Sequence, residues 1–193
     1  MDYSFINDLN NAAPQNQSFS LIPAGTLIKA SVCIKPGGHG PGGWFTQSRS
    51  SDAVYLNVDF TVVEGEYSGR IVHQMVGIQG TKRNDKGEDI WGQMGRSMLR
   101  ALVESAYNIM PNDNSDEANL KRTLHDISGI NTLVCAAKVG VDVDSTGAHP
   151  SRNKIVNIIT PESAQYKTIM GQASVATATA TTNTADLPEW LNQ

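Results

Sequence analysis

Val54-Tyr55-Leu56-Asn57-Val58-Asp59-Phe60-Thr61-Val62 carries the pattern that decides the fold. Val54, Leu56, Val58, Phe60 and Val62 point one way, and Tyr55, Asn57, Asp59 and Thr61 point the other. Strict alternation fits a half-buried β-strand, because successive side chains leave opposite faces of the pleat. A strand is expected over 53–63. Glu64-Gly65-Glu66-Tyr67-Ser68-Gly69 then reads as a turn, and alternation resumes over 70–78. There Val72, Val76 and Ile78 face inward, with Ile71, His73 and Met75 opposite. So short a link makes an antiparallel hairpin. Upstream, Ile28, Ala30, Val32 and Ile34 mark a strand over 26–34. Downstream, Leu133, Cys135, Ala137, Val139 and Val141 mark one over 131–144, and a fifth runs over 154–160.

From Ile90 the period changes to that of a helix. Trp91, Met94, Met98, Ala101, Leu102, Ala106 and Ile109 form its expected apolar stripe, with Gln93, Arg96, Arg100 and Glu104 on the polar side. Met110-Pro111 stops it. A second short helix is expected from Asn114 as cap, with Glu117 in its first turn and Lys121-Arg122 in its last. Three strands, a helix and two more strands make the chain mainly β, in the order of a five-stranded OB-fold barrel with a helical segment inserted between strands three and four. A five-stranded sheet packed on one helical layer is the alternative. By pleat parity Cys135 faces the core and Cys33 the outside, so no disulfide joins them.

The chain of 193 residues is 39% hydrophobic, enough for one domain with appendages. Its net charge of -4 excludes a uniformly basic nucleic-acid coat. That charge comes from the ends: residues 1–25 and 172–193 each hold two acids and no Lys or Arg, while 26–171 hold fifteen of each sign. The layout reads as a polar lead over 1–21, a folded domain over 22–171, a linker of Ala, Thr, Ser and Val over 172–185, and an acidic, apolar tip over 186–193. Met1-Asp2-Tyr3-Ser4 does not open a signal peptide, no apolar run is long enough to span a membrane, and two distant cysteines are no secreted framework. A cytoplasmic protein is expected, in the bacterial host's cytoplasm if phage encoded.

Motifs of catalysis are missing. There is no GxxxxGK[ST], HExxH, CxxC or GxSxG, and His39, His73, His125 and His149 lack ligand spacing. The segment 36–43, rich in glycine, reads as a mobile loop rather than a phosphate cradle. Asp142 with Asp144, and Glu64 with Glu66, are the only acid pairs that suggest a Mg²⁺ nuclease, and solvated turn acids explain them better. No cofactor and no enzymatic activity is expected.

A binder of single strands needs cations that follow phosphates and flat side chains on which bases stack. In an OB barrel that surface is the outer face of strands two and three with its flanking loops. Placed there, the sequence offers Lys35, Trp44, Phe45 and Arg49 after strand one, Tyr55 on strand two, and Arg70 and His73 on strand three. Lys82, Arg83 and Lys86 follow strand three, and Arg152 and Lys154 lie between strands four and five. Each has a bland reading. Trp44 and Phe45 can cap the barrel bottom, Tyr55 can be a cross-strand partner and His73 an ordinary sheet residue. Trp91 reads as helix-to-barrel core, and Arg96, Arg100 and Glu104 as a solvated helix face.

The tip Asp186-Leu187-Pro188-Glu189-Trp190-Leu191 suits capture by a basic, apolar groove on another protein. Barrel, linker and tip together resemble the single-stranded-DNA-binding proteins of bacteria and of phage replication modules. Ile22-Pro23-Ala24-Gly25-Thr26 and the segment 91–107 also look like phage-encoded replication and recombination accessory proteins. The resemblance implies a protein that coats single-stranded DNA with little sequence preference and recruits replication or recombination proteins through Asp186, Leu187, Pro188, Glu189, Trp190 and Leu191, with homo-oligomers open. A phage structural or assembly adaptor that binds only protein is the alternative.

Overall fold

The five alternating stretches form strands in a computed structural model that describes residues 9–10 and 20–171. They are β1 (Leu27–Lys35), β3 (Val54–Val62), β4 (Ile71–Gln79), β5 (Val134–Asp142) and β6 (Arg152–Ile159). A sixth strand, β2 (Thr46–Gln47), is too short to leave a period in the sequence and pairs with the start of β3. The helices are α1 (Ile90–Tyr107), α2 (Asp116–Arg122) and α3 (Tyr166–Met170).

All six strands share one antiparallel sheet, and its long strands lie in the order β4-β3-β1-β5-β6. The sheet is open: no backbone ladder joins β4 to β6. Both edge strands run in the direction of β1, and Gln74 reaches across, its Oε1 accepting from the Ile155 backbone N–H at 3.0 Å. The inward residues of the expected strands fill the core, where Phe60, Leu56, Ile34, Val32, Val58, Val72 and Val139 are fully buried. Ile22 joins them, and Asn153 holds it there: the Ile22 N–H donates to Asn153 Oδ1 and Asn153 Nδ2 donates to the Ile22 carbonyl.

The helix lies where the period placed it, and of the expected stripe Leu102 and Ile109 are buried and Met98 and Ala101 pack against the core, but its first turns bury a different side. Gly92, Gly95, Leu99, Leu102, Val103 and Glu104 are covered, while Met94 is 67% exposed and Trp91 38%. Glycine adds nothing to a hydrophobic period, yet it sets this contact. A Cβ on Gly95 would stand 1.7 Å from the Gly77 carbonyl oxygen and one on Gly92 2.7 Å from the Ile78 carbonyl oxygen, so glycine at both positions lets α1 press on β4 this closely. Glu104 is no solvated residue: it is 3% exposed and accepts from Arg100 Nε at 2.7 Å and Arg122 Nε at 2.9 Å. Arg122 also donates to the carbonyls of Asp113 and Met110, which ties α2 to the end of α1. The cap of α2 is Ser115, one residue after the expected Asn114.

Segment 36–43 is not an open loop. Gly37 and Gly38 N–H groups donate to the Gly43 carbonyl, and His39 pairs with Phe45. Behind β5, α3 buries Tyr166 against Ala136 and Ile159; the Tyr166 hydroxyl donates to the Ser105 carbonyl, and Ser105 Oγ accepts from the Ala136 N–H. Both cysteines are free, Cys33 exposed and Cys135 buried, and burial pushes the Cys135 thiol up to about 12. Among the described residues no helix is long and apolar enough to cross a membrane. The linker and the tip lie outside the described residues.

Candidate nucleic-acid interface

Residues opposite one another on neighbouring antiparallel strands point to the same side. The register therefore lays out the outer face row by row. Cys33, Asp59 and His73 form one row across β1, β3 and β4, and Lys35, Asn57 and Met75 form the next. The β5–β6 hairpin adds Asp142, Arg152 and Lys154, because Asp142 pairs with Arg152 and Gly140 with Lys154. Face and hairpin enclose a groove of about 500 Å³, with Trp91 at its wall. Lys35, His73, Arg152 and Lys154, drawn from three stretches of chain, all line it.

Two carboxylates organise these cations. Asp59 is buried, and burial alone would raise its pKa. Hydrogen bonds from Lys35 Nζ at 2.7 Å and from the His73 ring, whose Nδ1 lies 2.6 Å away, outweigh that and hold it below the ordinary carboxylate value. Asp142 is likewise held low, by Lys154 Nζ at 3.2 Å and then by Arg152 at 3.1 Å. Three permanent cations thus face two carboxylates in the groove, and His73 adds one more charge when protonated. The pairs are exposed on their cationic side: side-chain exposure is 56% for Lys35 and 78% for Arg152. An incoming phosphate can share these cations without first unburying them.

Trp91 is the lining residue that sequence periodicity assigned to the core. Asp89 caps α1, accepting from Gly92 N–H at 2.8 Å and Gly80 N–H at 2.9 Å, and so swings the first turn onto the outer face of β4. There the indole occupies the space a residue-77 side chain would take; a Cβ on Gly77 would stand 2.5 Å from Trp91 Cδ2. Tyr55 is directly across from Gly77 in the ladder. Tyr55 is half-buried there and does not line the groove, so the ring that does line it is Trp91. The signal for this was Gly77 itself, a glycine interrupting an alternating strand where another group approaches closely.

The remaining candidates do not line the groove. Trp44 and Phe45 are half-buried and pack against the core from the end of the 36–45 loop. Arg49 is exposed in the link between β2 and β3. Arg70 donates to the Ser20 carbonyl at 2.9 Å, at the start of β4. Lys82, Arg83 and Lys86 are exposed on the connection from β4 to α1, with Arg83 3.4 Å from Asp89. Asp186, Leu187, Pro188, Glu189, Trp190 and Leu191 lie outside the described residues. The acid pairs are committed elsewhere: Asp142 to its two cations, and Asp144 to the turn it closes, where it accepts from Thr146 and from the His149 N–H. Glu64 pairs with Lys29 at 3.5 Å. Among the described residues no three His, Cys, Asp or Glu side chains gather as a metal site.

No protein-family model matches the chain, and no curated protein matches it.

Proposed function

We propose that this chain binds single-stranded DNA through an OB-type domain, as a non-enzymatic component of a phage or bacterial replication or recombination system. The observation that carries the reading is the convergence of Lys35, His73, Arg152 and Lys154 on one groove over the outer face of β3 and β4. Cations from residues so far apart in sequence serve no common core, and a strand of phosphates is the ligand whose charge they would follow together. The OB reading of the sheet draws on strand order: β1 lies between β3 and β5, and the parallel edges β4 and β6 face each other across the Gln74 bridge, as the third and fifth strands of such a barrel do. The tip at 186–191 would recruit partner proteins while the domain holds DNA in the host cytoplasm.

The pairing of Asp59 and Asp142 with the groove cations supports a second reading, an adaptor that binds only protein, because it leaves the face nearly neutral. A gel shift with a labelled oligonucleotide at two salt concentrations separates the two. A retarded band that weakens as salt rises supports the DNA reading; no retardation at low salt contradicts it.

A further inference from the structure

We infer that the bound strand lies across two adjoining grooves, phosphates in the cationic one and bases in an apolar one beside it, with Trp91 as the stacking platform. The inference rests on the single-strand reading above and names how that site selects its ligand.

The second groove holds about 530 Å³ between β4, the first half of α1 and β6, at the open side of the sheet. Met75, Ile90, Trp91, Met94 and Val156 line it, and each is exposed, from 38% for Trp91 to 67% for Met94. No Lys, Arg, Asp or Glu lines it, whereas the adjoining groove has five. The two are continuous, since Gln74, Met75 and Trp91 line both. Charge on one side and bare apolar surface on the other is the complement of an unpaired strand, which carries charge along its backbone and presents flat, weakly solvated base faces beside it. Gln93, Ser97 and Asn157 on the second groove offer hydrogen bonds that any base edge can use. In a duplex the base faces are already stacked and cannot enter.

Trp91 is placed for this work. Its ring lies flat enough on β4 to fill the space above Gly77, and its exposure leaves a surface for a base. Asp89 fixes the turn that carries it, so little ordering is left to binding.

The test compares oligo-dT with an abasic oligonucleotide of equal length and charge by anisotropy titration of the full chain, at one salt concentration. The expected result is at least about tenfold tighter binding of oligo-dT, since one stacked base contributes that much. In Trp91→Ala the gap should shrink toward zero while abasic binding keeps its affinity and salt dependence. Equal affinity of the wild-type chain for the two ligands overturns the inference but leaves DNA binding standing, and returns the apolar groove to a protein partner. Failure of both ligands to bind overturns the reading beneath it. The wild-type comparison does not depend on the variant folding.

Discussion

Asp59 and Gly77 each control the groove by what they deny their neighbours. Asp59 ties up Lys35 and His73, so Asp59→Asn frees cationic charge without changing shape. Oligo-dT binding should tighten at low salt, and the slope of log K against log salt should steepen by about 0.7 per phosphate newly neutralised. The same substitution should lower stability. Asp59's pKa is depressed in the fold, so its contribution is present above the ordinary 3.8 and is lost as pH falls through the folded value. Urea midpoints of wild type and variant should therefore differ at neutral pH and converge in acid; a gap that persists in acid contradicts the pairing. At Gly77, alanine drives a Cβ into the indole, 2.5 Å from Cδ2. Gly77→Ala should shift tryptophan emission to the red and weaken oligo-dT binding; unchanged emission would contradict the placement of the ring. Of these residues, Lys35 and His73 were legible as outward, basic positions. Asp59 was legible as outward but not as buried, because its burial comes from the long side chains that fold over it.

The strands were readable because one face is apolar and the other polar, and the period of two survives any packing. α1 was readable as an element and, from Met98 on, as a face, while its first turns were misread. A scale that scores hydrophobicity cannot see that Gly92 and Gly95 bury more of α1 than Met94 does. Gly95→Ala tests this. Helix propensity alone would favour alanine by about 1 kcal/mol, but a Cβ 1.7 Å from the Gly77 carbonyl must push the helix off β4. A net loss of about 1–3 kcal/mol in urea denaturation is expected; a gain would show that the helix is not held this close. Glu104→Ala leaves Arg122, 11% exposed, without its carboxylate, and should cost about 3 kcal/mol by the same measurement. A loss under half a kcal/mol would mean that the carbonyls of Asp113 and Met110 hold Arg122 unaided. The first-turn position of Trp91 followed from Asp89 and Gly80, two residues whose role is visible only once β4 and α1 are in contact.

At the scale of the molecule, the sheet stops short of closure and leaves a seam between β4 and β6 where both grooves meet. Pleat parity could orient side chains strand by strand, but it could not say that the seam would stay open or that α1 would deliver an indole beside it. That is why Lys35, His73, Arg152 and Lys154 come together on one groove, while the expected rings do not line it: Trp44 and Phe45 fold back on the core with the 36–45 loop, and Tyr55 is half-buried across from Gly77. The neutral middle of the chain has a local counterpart in the groove, where carboxylates offset most of the cations. Binding is therefore expected to depend on salt less steeply than in a densely basic protein. Deleting 186–193 should leave oligo-dT affinity unchanged or tighter and abolish capture of replication or recombination partners; loss of DNA binding on deletion would move the site to the tip.

The most direct test of the groove as the interface is ultraviolet cross-linking of the full chain to bromodeoxyuridine-substituted single-stranded DNA, followed by mass spectrometry of the adducts. Adducts at Trp91, Met75 or His73 are predicted. No adduct, or adducts confined to Trp44, Phe45 or the segment 172–193, would contradict the account.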